Sequence, residues 1–120
     1  MKKKTLILGA STNPERYAYL AAERLSQHGH PIVNVGMKSG EVAGVAIEPA
    51  EKIYTDIDTI TLYIGPQNQP AYYDYILTTQ PHRIIFNPGT ENAELESLAN
   101  ERGIETLEAC TLVMLSTGQY

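Results

Sequence analysis

Gly9-Ala10-Ser11-Thr12-Asn13-Pro14-Glu15-Arg16 follows the apolar run Thr5-Leu6-Ile7-Leu8 and precedes a segment of helical spacing. A turn of this kind between a strand and a helix presents backbone N–H groups outward. The helix dipole adds partial positive charge, so the chemistry it suits is holding a phosphate. A second polar loop, Asn87-Pro88-Gly89-Thr90-Glu91-Asn92, follows another apolar run. Lys38 stands in a third, Gly36 to Gly40. No nucleophile–base pair or paired carboxylates accompany these loops, so the chemistry they suggest is binding rather than catalysis.

Those loops need elements to carry them. Thr5 to Leu8 reads as a short buried strand. Ala18, Ala21, Ala22 and Leu25 form a helical stripe of mostly small residues, which lets a helix lie close to a sheet, with Gly29 as its stop. Asn13 could cap that helix with Pro14 in its first position. The alternative, a longer loop with the helix opening near Tyr17, leaves Ser11 to Arg16 free to wrap a ligand and is the one adopted. Strands are expected at 31–35, 52–54 (at the sheet edge), 59–64 and 83–86, with an irregular stretch at 41–51. Helices are expected at 71–79 and 93–102, the latter capped by Asn92 and stopped by Gly103. A last short strand falls at 104–107, and a closing helical turn at 110–115. Alternating strands and helices imply one domain over residues 1–120. Its expected fold is α/β, a Rossmann-like doubly wound sheet of five or six mainly parallel strands with helices on both faces. In such a sheet ligands bind beyond the carboxyl ends of the strands, where Gly9–Arg16, Gly36–Gly40, Gly65–Pro70 and Asn87–Glu91 would gather.

The pattern argues for a particular kind of phosphate ligand. A dinucleotide fingerprint needs three glycines and an acid about 20 residues on for the ribose. Gly9 is present, but Ser11 stands where the second glycine belongs, and no glycine recurs before Gly29. The second strand ends Asn34-Val35-Gly36, without an acid, and Lys38 follows. A lysine there suits a phosphate on the ribose, as in NADP or the 3′-phosphorylated ADP of coenzyme A.

Taken together, the chain resembles the small single-domain CoA-binding proteins, related in fold to the N-terminal domain of the succinyl-CoA synthetase α subunit. The resemblance rests on Gly9-Ala10-Ser11 with Asn13-Pro14 and Arg16, on Gly29-His30, and on Asn87-Pro88-Gly89-Thr90-Glu91-Asn92. Gly103-Ile104 and Cys110-Thr111-Leu112-Val113-Met114-Leu115 extend it to nearly the whole chain. It implies a CoA diphosphate near Gly9, Ala10, Ser11, Thr12, Asn13 and Arg16, and a 3′-phosphate near Lys38. The pantetheine arm would run past the loops after the fourth and fifth strands, with Asn87, Pro88, Gly89 and Asn92 at its distal end. Relatives often carry Pro-Ser where this chain has Tyr17-Ala18, and Pro-Val-Asn-Pro where it has Asn34-Val35-Gly36-Met37. Nothing matches the phosphohistidine segment of the synthetase.

Other constellations carry less. His28 and His30 straddle a helix end and diverge, so they read as a favourable helix terminus rather than a metal pair. His82 reads as structural or solvated. Asp56 and Asp58 read as turn acids. Glu94 and Glu96 are two apart on one helix and face different ways. Cys110, the lone cysteine, has apolar neighbours that imply burial; the sharper reading is a thiol near the end of the pantetheine arm. Fourteen acids against nine bases, a net charge of −5, argue against a nucleic-acid partner. No run approaches the roughly 20 apolar residues of a membrane span, and Lys2-Lys3-Lys4 precedes an apolar run too short for a signal peptide. A lone thiol fits a reducing, cytoplasmic setting.

The expected function is therefore non-catalytic binding of coenzyme A or an acyl-CoA, in a sensing, carrier or regulatory role. The small-molecule nucleotide ligand would be accompanied by a homodimer partner or a CoA-dependent enzyme. Tyr72, Tyr73 and Tyr75 are read as core packing plus a small contact between copies. The alternatives are an NADP-linked or other nucleotide-dependent enzyme subunit, and a structural interaction module whose nucleotide pocket has decayed.

Overall fold

The computed structural model describes residues 2–120. Seven strands form one sheet: β1 (Thr5–Leu8), β2 (Ile32–Val35), β3 (Glu41–Val42), β4 (Val45–Glu48), β5 (Thr59–Leu62), β6 (Arg83–Phe86) and β7 (Glu105–Glu108). Their order is β3-β4-β2-β1-β5-β6-β7, parallel throughout except for the β3–β4 hairpin. The fold is α/β and Rossmann-like, as read from the sequence, with a strand or two more than expected. Strand order reverses between β1 and β5, which places the switch point beside Gly9 and Tyr63.

Successive residues of a strand face opposite sides, and here both sides are covered. Leu6, Leu8, Ile60, Leu62, Ile84 and Phe86 face α2 (Tyr73–Thr79) and α3 (Ala93–Glu101), meeting Ile76, Leu95 and Ala99. Ile7 and Ile85 face α1 (Tyr17–Gln27) and α4 (Thr111–Ser116), meeting Ala18, Ala22, Leu25, Met114 and Leu115. The alanine stripe of α1 is buried against this face. Asn92 caps α3 by accepting from the Leu95 N–H at 3.2 Å. At its other end Ile104 N–H reaches back to Ala99 O at 3.0 Å, a Schellman closure over Gly103.

Three expectations change. The stretch 41–51 contains the β3–β4 hairpin. Its turn, Ala43-Gly44, has φ of 54° and 78°, the primed geometry that ordinarily announces itself as Asn-Gly. Asn34, fully buried on β2, donates from Nδ2 to Val42 O and Val45 O at 3.1 Å each and so ties that turn to the sheet. Residues 52–54, expected as an edge strand, are irregular: Tyr75 Oη takes the Lys52 carbonyl at 2.9 Å, and Tyr54 packs on the core instead. In 71–79 the α-helix proper opens at Tyr73, after two 3-10 turns at Pro66–Asn68 and Pro70–Tyr72.

Candidate functional site

The loops after β1, β2, β5 and β6 meet at one edge of the sheet, and glycines set how closely. Gly9 has φ of 101°, and a Cβ there would stand 2.9 Å from Tyr63 O. A Cβ on Gly36 would stand 2.5 Å from Ala10 O, and one on Gly40 would overlap the Thr12 methyl. The β1 loop is thus wedged between its neighbours on both sides. The Gly9 and Ala10 N–H groups both donate to Val35 O at 2.9 Å, so these two turn amides are committed within the protein.

The free donors lie one step further on. Ser11 Oγ accepts from Asn13 N–H at 3.1 Å, Asn13 Oδ1 accepts from Glu15 N–H at 3.0 Å, and Asn13 O accepts from Arg16 N–H at 3.0 Å. Asn13 therefore organises the loop rather than capping α1. The helix opens at Tyr17, with Arg16 extended in the cap position, no capping side chain and no acid in the first turn. Among the described residues, the N–H groups of Ser11, Thr12, Tyr17 and Ala18 have no acceptor. Free amides at an uncapped helix start, at the positive end of the helix dipole, favour negative charge. Arg16 and Lys38 are exposed on the adjoining loops, beside Met37, which is 91% exposed. The one ion pair among the described residues, Lys4 with Asp56 at 2.9 Å, lies at the opposite end of the sheet.

The distal loops are held by a polar lattice. Asn87 is buried; Nδ2 donates to Thr61 Oγ1 at 2.6 Å and Leu62 O at 2.9 Å, and Oδ1 accepts from Thr111 N–H at 2.9 Å. Asn92 Nδ2 donates to Gln69 Oε1 at 2.9 Å and Tyr73 Oη at 2.8 Å. Buried Gln69 in turn donates to Ile64 O and Thr90 O. The side chains of Asn87 and Asn92 thus shape these loops, while Pro88 and Gly89 present the exposed surface. The Gly89 N–H is taken by Glu91 Oε1 at 2.9 Å.

Sequence reasoning missed Gln69, Tyr63 and Thr111. Nothing in Gly65-Pro66-Gln67-Asn68-Gln69 separates the buried glutamine from the exposed one. Tyr63 follows β5 at the switch point, and burial pushes its phenol up to about 12, against the hydroxyls of Thr61 and Thr111, so it stays a neutral donor. Cys110 is half-buried in the cap position of α4, at the same edge.

The family model described as a CoA binding domain matches residues 3–116. The chain belongs to that family. No curated protein matches this chain. A crystal structure of an uncharacterised protein is 57% identical, with a TM-score of 0.98, covering 100% of this chain and 99% of that one. A hypothetical protein from Pyrococcus horikoshii OT3 is 27% identical, with a TM-score of 0.83 and coverage of 97% and 82%. A Thermus thermophilus structure at 20% identity and a TM-score of 0.86, covering 99% of this chain and 91% of that one, shares the fold.

The remaining candidates lie elsewhere. His30 Nδ1 accepts from Lys3 N–H at 2.9 Å; burial, with the charges of Lys2, His28 and Lys3, holds its pKa below the ordinary value, as suits a neutral acceptor. Glu94 accepts from Tyr73 Oη, whereas Glu96 sits beside Glu108. Among the described residues no three His, Cys, Asp or Glu converge on a metal position, and no helix is long and apolar enough to cross a membrane.

Proposed function

We propose that this domain binds coenzyme A or an acyl-CoA at the loop edge, without catalysis of its own, and serves a sensing, carrier or regulatory role. The observation that carries the reading is the uncapped amino end of α1, whose free amides at Tyr17 and Ala18 join those of Ser11 and Thr12. The diphosphate occupies this end, neutralised by Arg16. Lys38 takes the adenosine 3′-phosphate as a point charge, and exposed Met37 offers an apolar surface to the base. The pantetheine arm crosses the switch point toward Tyr63, Pro88 and Gly89. Gly9 and Ala10 contribute backbone shape, their amides being spent on Val35.

A thermal-shift panel of CoA, acetyl-CoA, 3′-dephospho-CoA, NAD and NADP tests this. A ligand selective for the folded state, at a hundred times its Kd, adds about 2.7 kcal/mol. CoA should raise Tm, and the rise should shrink for 3′-dephospho-CoA or for Lys38→Ala. A rise with NAD alone sinks the reading, and a rise with NADP but not CoA assigns Lys38 to a dinucleotide.

A further inference from the structure

The end of the sheet opposite the loops holds a cluster that the site does not use. Arg83 opens β6 and is only 7% exposed. Its Nε donates to Thr59 Oγ1 at 2.7 Å, and that hydroxyl donates to Asp58 Oδ1 at 2.6 Å. No carboxylate touches the guanidinium; its Nη2 is buried without an acceptor, and the group lies 4.4 Å from the centre of the Tyr120 ring. The same ring meets His30 edge-on at 4.9 Å and Lys3 Nζ at 5.7 Å. Lys3 Nζ also donates to Tyr120 O at 2.6 Å. Thr5 Oγ1 gives its proton to Lys3 O, so it accepts from the Tyr120 hydroxyl. One phenol is thereby fixed to β1, to β6 and to the segments leading into β1 and β2.

Tyr120 is joined to α4 by a short return: the Gln119 and Tyr120 N–H groups both reach Met114 O, at 2.8 and 3.2 Å. At its other end α4 is pinned to the loop edge. Thr111 N–H donates to Asn87 Oδ1, and the Thr111 and Thr61 hydroxyls bond at 2.8 Å. Six residues cannot hold a helix by themselves, so the position of α4 depends on its packing on α1 and on these two anchors. The lower anchor is mutually dependent. A buried cation without a carboxylate needs the ring face and the hydroxyl, and without Arg83 the ring loses the group stacked on it.

We infer that Tyr120, clamped by Arg83, is a positioning residue for the pantetheine end of the site. It holds α4, and α4 holds Cys110, Thr111 and the Asn87 loop at the ligand edge. The binding arm of the following test rests on the CoA reading; the thiol arm does not.

Tyr120→Ala and Arg83→Met are compared with Leu95→Ala, which weakens the other face of the sheet. The first measurement is alkylation of Cys110, the only cysteine, by iodoacetamide in native buffer. Local release of α4 should speed it about tenfold in both latch variants and leave Leu95→Ala near the native rate. The second is the Kd of CoA against that of adenosine 3′,5′-bisphosphate, which lacks the pantetheine arm. CoA should weaken about fivefold while the bisphosphate binds as before. An unchanged Cys110 rate, an equal acceleration in Leu95→Ala, or an equal loss for both ligands overturns the latch. If the native protein binds neither ligand, the CoA reading fails separately and the Cys110 rates still decide. Should Tyr120→Ala not fold, Arg83→Met and Tyr120→Phe, which keeps the ring and loses the Thr5 bond, carry the same comparisons with smaller expected shifts.

Discussion

Asn87 Nδ2 donates to Thr61 Oγ1 across β6 and β5 at 2.6 Å, and this contact joins two strand ends to the start of α4. The same side chain serves Leu62 O and Thr111 N–H. Asn87→Ala removes a partner from three buried polar groups; Thr61 Oγ1 keeps its bond to Thr111 Oγ1, while the bonds to Leu62 O and Thr111 N–H are lost where water has little access. Leaving such groups unpaired costs about 1–3 kcal/mol each before relaxation, so a loss of about 3 kcal/mol is expected. Urea unfolding of the two proteins measures it. A loss below about 1 kcal/mol would mean that water replaces the amide and that the lattice is open.

Ala43 holds φ of 54° in the β3–β4 turn, a conformation that costs an L-residue with an ordinary side chain about 1–2 kcal/mol. Asparagine tolerates this region and is the usual partner of a following glycine in such turns. Ala43→Asn should therefore stabilise the domain by about 0.5–1 kcal/mol, less whatever the half-buried methyl contributes. The check is the midpoint of urea unfolding at unchanged slope.

These cases show what the sequence could and could not disclose. β1, β2, β5 and β6 were legible because short, continuously apolar runs bounded by polar turns have few other uses in a chain of alternating elements. Asn92 and Gly103 marked the ends of α3 because capping is local chemistry. The hairpin was hidden because Ala43 breaks the turn rule that would have revealed it, and its anchor, Asn34, comes from a different strand. At the site, position was legible and partnership was not. The Gly9–Arg16, Lys38 and Asn87–Asn92 loops do gather at one edge. Which of their polar atoms face outward depends on Val35, Thr61, Gln69 and Thr111, contacts that no spacing rule connects. The spent amides of Gly9 and Ala10 are the clearest example.

Glu96 is held above the ordinary carboxyl value, first by burial, then by its bond to and charge from Glu108, and by the charge of Glu91. A carboxyl with a raised folded-state pKa binds its proton more tightly folded than unfolded. Stability is thus lost as pH rises from the unfolded value near 4.5 through the raised value, and the loss is complete above it. Glu96→Gln removes that penalty. The variant should be the more stable at about pH 7, and its advantage should vanish below about pH 4. Unfolding curves at both pH values decide. An advantage that persists in acid would assign the gain to packing and not to charge.

Gly36 and Ala10 give the sharpest test of how the loop edge is built. A Cβ on Gly36 would stand 2.5 Å from Ala10 O and 3.2 Å from Ile47 Cγ2. The first neighbour is backbone, fixed by the two amides that bind Val35 O, and cannot swing away. Gly36→Ala must therefore push the β1 and β2 loops apart, at a cost of about 1–3 kcal/mol for overpacking. Truncating Ile47 to alanine removes Cγ2 and relieves only the second contact, so the double variant Gly36→Ala with Ile47→Ala should recover none of the loss. The displacement also moves Ser11 and Thr12, whose free amides are proposed to meet the diphosphate. CoA binding should then weaken more than stability alone explains. Calorimetric titration of the folded variant, well below its Tm, separates the two effects. Native affinity in Gly36→Ala would mean that the diphosphate does not depend on the spacing of these loops.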